Sequence, residues 1–222
     1  MMNAVEVKNL CFKYRNSPEK ILDNVNLSVM EGETIAILGG SGSGKTTFCN
    51  CLCGLIPNVY SGEFSGDVEL FGENIKNMNM AKIVTKAGMI FQNPSTQLFS
   101  PTIEDELSFG PENLCVDRKE IARRMDNILQ TIDMEDFRYE NPNNLSGGQQ
   151  QLIAMASVLM LEPKILICDE IMSWVDQNGK NIIRNLLLKL KEEKKTVIII
   201  DHDLENVKIS DRIVQVRDGK FY

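Results

Sequence analysis

Histidine is nearly absent from the chain, which has one among 222 residues, and no two of its six cysteines form a C-x-x-C pair. Both shortages argue against a zinc site, which draws on such pairs or on several histidines. Nor do the cysteines have the spacing of a disulfide framework. Cys49, Cys51 and Cys53 alternate within one short stretch, so in a helix Cys49 and Cys53 share a face and Cys51 points elsewhere. They read as small buried residues of a reducing compartment. No apolar run approaches the roughly 18 to 20 residues of a membrane span. The N-terminus lacks a basic segment followed by an apolar one, so no signal peptide is visible. The expectation is a soluble, cytosolic chain. An excess of positive charge is missing too. Lys plus Arg is 24 against 31 for Asp plus Glu, a formal net charge of −7. This excludes a broad basic face for nucleic acid and leaves only a local patch possible. There is no internal repeat and no low-complexity segment. The length suits one large domain, or a domain with a subdomain, around a substantial core.

What is present is concentrated first in Gly39 to Thr47, which reads G-G-S-G-S-G-K-T-T. It matches the pattern G-x-x-x-x-G-K-[ST], with Gly39, Gly44, Lys45 and Thr46 at the fixed positions. Glycines (here Gly39, Gly40, Gly42 and Gly44, spaced by Ser41 and Ser43) let successive N–H groups converge on one anion. A helix starting there adds its positive end. Lys45 supplies a point charge for the β- and γ-phosphates, and the Thr46 hydroxyl is a natural Mg²⁺ ligand. The flanks agree. Glu33 to Leu38 is an apolar run of strand type, and Thr46 to Leu55 has helix-compatible length, with Gly54 at its end. The bland alternative is a glycine-rich turn that binds nothing. The full match and the strand–loop–helix context argue against it.

The remaining segments alternate strand and helix character. Val5 to Tyr14, Ile21 to Met30, Asp67 to Phe71, Ala87 to Phe91, Lys164 to Asp169, Thr196 to Ile200 and Ile213 to Val216 read as strands. Tyr14 ends the first; it can stack on a purine ring or simply sit at a strand edge. Gln92 follows an apolar strand, where α/β proteins place ligand contacts, though an ordinary loop glutamine also fits there. Pro101 to Leu129 is helical in character. Pro111 is expected to divide it, with Asp117 as the next N-cap. Leu145-Ser146-Gly147-Gly148-Gln149 precedes a helix over Gln150 to Leu161, a second helix start suited to a phosphate. The strand at Lys164 ends in two carboxylates. Asp169 can hold Mg²⁺ through a water and Glu170 can polarise an attacking water, unless both simply face solvent. Gly179 to Glu193 is an amphipathic helix. Thr196 to Ile200 is apolar on both faces and runs into Asp201-His202-Asp203, which places His202 at the same edge as Gln92 and Glu170.

Together, these pieces resemble the ATP-binding cassette (ABC) ATPases over essentially the whole chain. The matching residues stand in the family's order: the aromatic Tyr14, the Walker A loop Gly39 to Thr47, the Q-loop Gln92, and the signature L-S-G-G-Q at Leu145 to Gln149. The Walker B strand Ile165 to Asp169 with Glu170, the D-loop Ser173-Trp174-Val175-Asp176 and the switch His202 complete it. The resemblance implies an α/β P-loop NTPase cassette with a parallel-sheet core, an antiparallel β subdomain and a helical subdomain. Residues 1–222 would be a single ABC ATPase domain, the helical subdomain spanning about 94–160. It implies a Mg²⁺-dependent ATPase. Tyr14, the Walker A residues Gly39, Gly40, Ser41, Gly42, Ser43, Gly44, Lys45, Thr46 and Thr47, and the signature residues Ser146, Gly147, Gly148 and Gln149 would bind ATP. Thr46, Gln92 and Asp169 would arrange the metal. Glu170, His202, Gln92 and Lys45 would act in hydrolysis. Cassettes of the family pair head to tail, so the signature would serve the partner's nucleotide.

The stretches Phe91 to Phe99, Thr102 to Leu114 and Cys53 to Pro57 are similar to the cobalt-type and energy-coupling factor (ECF) importers. The resemblance implies a second cassette as homo- or heterodimer partner and an integral membrane component. It implies a peripheral place on the cytoplasmic face, uptake of a vitamin or transition-metal ion, and no direct contact with that substrate or with nucleic acid. Two other readings are a soluble ABC ATPase acting on nucleic acid or the ribosome, and a regulatory nucleotide-binding subunit without turnover. The chain departs from the family at four places. Gln151 stands where Arg or Lys is usual, which removes a cation near the signature helix. Cys168 replaces an aliphatic residue. Asp201 stands for Thr or Ser and offers His202 a carboxylate to hold its tautomer. Trp174 is large for the D-loop. The chain also ends soon after its last strand, where many ECF-type cassettes carry a dimer-holding extension, so it is expected to be a truncated chain or one half of a longer double cassette.

Overall fold

The computed structural model describes all residues except Met1 and Trp174; the D-loop tryptophan therefore lies outside the described residues. The chain opens with strands β1 (Asn3–Tyr14), β2 (Leu22–Met30) and β3 (Thr34–Gly39), then helices α1 (Lys45–Leu52) and α2 (Leu55–Asn58). Strands β4 (Gly62–Leu70) and β5 (Glu73–Asn74), helix α3 (Met80–Lys86) and strand β6 (Ala87–Ile90) follow. Helices α4 (Ile103–Asn113), α5 (Arg118–Thr131) and α6 (Gly147–Leu159) come next in succession. The chain closes with β7 (Ile165–Asp169), α7 (Gln177–Glu192), β8 (Thr196–Asp201), β9 (Arg212–Arg217) and β10 (Lys220–Phe221).

Two sheets result. The core sheet has the order β10-β9-β3-β8-β7-β6 and is parallel except at β10. The second, β2-β1-β4-β5, is antiparallel. Strand alternation splits the core between the two faces of the parallel sheet. Ile35, Ile37, Ile165, Ile167, Ile198 and Ile200 point toward the antiparallel sheet and α1. Ala36, Leu166, Cys168, Val197 and Ile199 point toward α6 and α7. Every residue of β7 and β8 is buried, which explains their unbroken apolar runs.

The strand expected over Val5 to Tyr14 is present with a bulge, and two other local expectations, for β4 and Pro111, are corrected. In β1 the apolar residues Val5 and Val7 are out of step with Leu10 and Phe12, yet all four are buried. Asn9 has φ 49° and the register shifts between Val7 and Leu10, so a bulge turns the second pair back to the core. β4 is longer than the Asp67–Phe71 run, because its polar half pairs with Cys11 to Tyr14 of β1. Phe71 itself, at φ 53°, lies in the turn that follows. Pro111 does not divide a helix. It sits inside α4, and the break comes after Leu114, where Cys115 turns left-handed at φ 57°. Asp117 caps α5 as its residue type suggested, accepting the Lys119 N–H at 2.9 Å. Helix α3 had no counterpart in the sequence reading.

The register places the chemistry. Leu38 stands opposite Asp201, and Asp169 opposite Ile200. β3, β7 and β8 therefore end at one carboxyl edge, where open α/β sheets receive ligands.

Candidate functional site

β3 delivers the chain to the glycine loop, and Gly44, with φ 102°, is the N-cap from which α1 starts. A side chain would be strained there, and its Cβ would lie 2.8 Å from the Ile21 carbonyl oxygen. Lys45 is buried, 6% exposed, and folds back over the loop. Its Nζ donates to the carbonyls of Gly39 and Gly40, each at 2.8 Å, and lies 3.9 Å from Glu170 Oε1. Thr46 Oγ1 donates to Asp169 Oδ2 at 2.7 Å. Asp169 is 3% exposed. Burial pushes its pKa up and the Glu170 carboxylate adds to this, while the Thr46 hydroxyl and Lys45 pull the other way.

Glu170 follows β7 with φ 48°, an unusual backbone for this residue type. Its N–H donates to the Ile200 carbonyl at 2.9 Å, which holds the turn against β8. Gln92 Nε2 donates to Glu170 Oε2 at 2.9 Å, and His202 Nδ1 lies 3.5 Å from the same oxygen. Thus Gln92, Glu170 and His202, from the ends of three strands, form one polar chain beside Lys45. Tyr14 reaches the opposite wall, where its hydroxyl and Thr47 Oγ1 are 3.2 Å apart and its ring meets Phe12 edge-on.

These residues enclose a cavity of about 570 Å³. Tyr14, Ile21, Gly39, Ser41, Gly42, Gly44, Lys45, Thr46, Thr47, Gln92, Glu170 and His202 line it. Asp169 lies beneath Thr46. Gly40 and Ser43 line a neighbouring cavity on the other side of the loop. Ser146, Gly147, Gly148 and Gln149 are elsewhere. They line a third cavity of about 450 Å³ with Asp176 and Gly179, and it shares no residue with the first. Ser146 and Gln149 form a capping box: Ser146 Oγ accepts the Gln149 N–H at 3.3 Å and Gln149 Oε1 accepts the Ser146 N–H at 3.0 Å. The box leaves the amides of Gly147 and Gly148, at the start of α6, for an outside acceptor.

Two departures in the sequence acquire a different meaning. Gln151 is not a lost surface cation. It is fully buried and donates to the Phe91 carbonyl at 3.2 Å, so a charge there would be costly. Asp201 does not hold the His202 ring. Its Oδ1 accepts the N–H groups of His202 and Asp203 at 2.7 and 2.9 Å, and its Oδ2 accepts Asn206 Nδ2 at 2.9 Å. The ring Nδ1 is 3.8 Å from Asp201, farther than from Glu170. Asp201 anchors the turn, and Asn206, which sequence reading missed, completes it. Cys168 is buried, and burial pushes its thiol pKa up.

An ABC transporter family model matches residues 22–173. The chain belongs to the ABC transporter family. It is 44% identical over 221 residues to an ABC transporter ATP-binding protein of Pyrococcus abyssi, covering 99% of this chain and 79% of the relative. It is 39% identical over 220 residues to the energy-coupling factor transporter ATP-binding protein EcfA1 of Oenococcus oeni, covering 99% and 78%. Among solved structures, CbiO1 of Clostridium perfringens, part of the transporter complex CbiONQ, superposes with a TM-score of 0.85 at 30% identity, covering 100% and 88%. The dimeric cassette MJ0796 bound to ADP and Pi gives 0.84 at 29% identity, covering 97% and 95%. The α/β cassette fold implied by the motifs is therefore the fold of this chain, and the chain is an ABC ATP-binding subunit of transporter type. Among the described residues no helix is long and apolar enough to cross a membrane.

Proposed function

We propose that the chain binds Mg²⁺ and ATP in the Lys45 cavity, hydrolyses ATP, and thereby drives import of a vitamin or transition-metal ion through a separate membrane protein. One observation carries the hydrolytic reading. The Thr46–Asp169 pair at 2.7 Å and the Gln92–Glu170–His202 chain meet at one cavity beside a phosphate-type loop, with Asp169 and Glu170 adjacent at the end of β7. In this reading the Lys45 ammonium exchanges the Gly39 and Gly40 carbonyls for phosphate oxygens, and the loop amides take the rest. Glu170 accepts the proton of the water that attacks the γ-phosphorus in line, while the bond to the β-phosphate oxygen breaks. His202 hydrogen-bonds the γ-phosphate, and Gln92 orients the water against Glu170. Tyr14 stacks on the base.

The donor set fits Mg²⁺. Thr46, Asp169 and the Gln92 amide oxygen are hard oxygen ligands, and a nearby dication would offset the buried charge of Asp169. When bound, the metal would supply positive charge against the phosphates and offset the charge that develops during hydrolysis.

Residues 1–222 act as one cassette domain, with about 94–160 as an inserted helical subdomain. Ser146 to Gln149 serve the nucleotide of a second cassette, as their separate cavity suggests. The likeness to EcfA1 and CbiO1 supports a membrane partner and a peripheral place on the cytoplasmic face, without contact with the transported solute. Purification of a tagged chain from native membranes tests the transport reading. A polytopic membrane protein with a second cassette, or with a small capture protein, is the expected result. Recovery of ribosomes, nucleic acid or soluble partners only would sink it and leave the ATPase site standing.

A further inference from the structure

Phe91 follows the last residue of β6 and precedes Gln92. Its backbone has no strand partner among the described residues, because β6 is an edge strand whose pairing with β7 ends at Ile90. Two glutamine side chains take that role. Gln97 Oε1 accepts the Phe91 N–H at 3.0 Å, and Gln151 Nε2 donates to the Phe91 carbonyl at 3.2 Å. Both tie the peptide to α6. Gln151 belongs to that helix, and Gln97 Nε2 donates to the Ala154 carbonyl at 3.4 Å. Gln151 is fully buried, and its Oε1 has no partner among the described residues. An amide buried with half its bonding capacity unused is a poor choice for stability alone, since an apolar side chain of the same shape would serve as well or better. What it does supply is a directional hold on one peptide.

That peptide sits between two parts of the site. Gln151 is one helical turn beyond the Gly147 end of α6, and Gln92 bonds Glu170 at 2.9 Å. A short path therefore runs from the first turns of α6 to Glu170: the Gln151–Phe91 hydrogen bond, the covalent Phe91–Gln92 link and the Gln92–Glu170 hydrogen bond. We propose that Gln97 and Gln151 are positioning residues that clasp the Phe91 peptide to α6, so that the setting of α6 decides where Gln92 stands against Glu170. The functional half of this proposal rests on the ATPase reading above; the structural half does not.

Two measurements test it. In hydrogen exchange of the full chain, Gln97→Met, which keeps side-chain length and drops both bonds, is expected to speed exchange at the Phe91 amide at least tenfold. Gln97→Glu, which keeps the acceptor, restores the protection. Unchanged exchange in Gln97→Met overturns the clasp. In steady-state ATP turnover, Gln151→Met is expected to lower kcat about tenfold or more with KM unchanged, since a displaced group remote from the chemistry costs up to about 10²-fold. Combined with Gln92→Ala, it adds no further loss. Losses that multiply in the double variant mean that Gln151 acts apart from Gln92, which overturns the coupling. A parent chain that never hydrolyses ATP refutes the ATPase reading instead, and the exchange comparison then decides the clasp.

Discussion

Glu170 combines three constraints: a left-handed backbone, a hydrogen bond from Gln92, and a place 3.9 Å from Lys45. Such a held carboxylate is suited to take a proton, not to build the fold. Glu170→Gln keeps the shape and the Gln92 contact through its amide oxygen. It is expected to retain ATP binding while turnover falls on the order of 10² or more, read by phosphate release in the assembled transporter. Near-normal turnover would reject the role. Asp169 makes a different prediction, because burial raises its pKa above the ordinary 3.8. A carboxyl with a raised folded pKa costs stability as pH climbs from its unfolded value through the folded one. Asp169→Asn removes that cost, so the stability difference between variant and parent, both without nucleotide, should grow in the variant's favour from about pH 4 upward. Mg²⁺ and ATP at a hundred times Kd would stabilise the parent by about 2.7 kcal/mol, on the order of 5–10 °C at this chain length. The variant should lose most of that shift in a melting series.

At the level of elements, α1 shows why its cysteines are inert. Cys49 and Cys51 of the helix and Cys53 at its C-cap are all buried although Cys51 points away from the other two, because the helix is enclosed between the two sheets. Burial raises all three thiol pKa values, that of Cys53 to about 12. Thiolates react and thiols do not. Iodoacetamide at pH 8 is therefore expected to label exposed Cys115 in the native protein and to reach the α1 thiols only after unfolding, as mass spectrometry would show. The same shifts fix a sign. From about pH 9 upward the unfolded chain releases thiol protons that the folded chain keeps, so stability falls through that range. A second element-level contact joins β6 to α6. A Cβ on Gly88 would lie 2.5 Å from Val158 Cγ1 and 3.0 Å from Pro163 Cγ, neither of them a flexible tip. Gly88→Ala should cost about 1–3 kcal/mol by urea unfolding, as overpacked cores do.

For the whole molecule the separation of the two phosphate-seeking sites matters most. The Lys45 cavity and the Ser146–Gln149 cavity share no lining residue within one chain, as the proposed pairing with a second cassette requires. In Glu170→Gln, ATP is expected to convert monomer to dimer by light scattering, and ADP is not. A monomer under saturating ATP would count against the shared site. The phosphate loop, the paired carboxylates and the histidine are legible from the amino acids alone, because each stands at or directly after the end of a short apolar strand and depends on residue types a few positions apart. The apolar run Thr196 to Ile200 likewise marks a strand buried on both faces. Tertiary structure decided the rest. The bulge at Asn9, the length of β4 and the passage of α4 through Pro111 depend on partners elsewhere in the chain. Gln151 reads locally as a missing cation and proves to be a buried hold on a peptide 60 positions away. Asp201 reads as a partner for a ring and proves to cap a turn. Hydrogen-bond direction and burial are properties of the packed molecule, and no local pattern of residue types carries them.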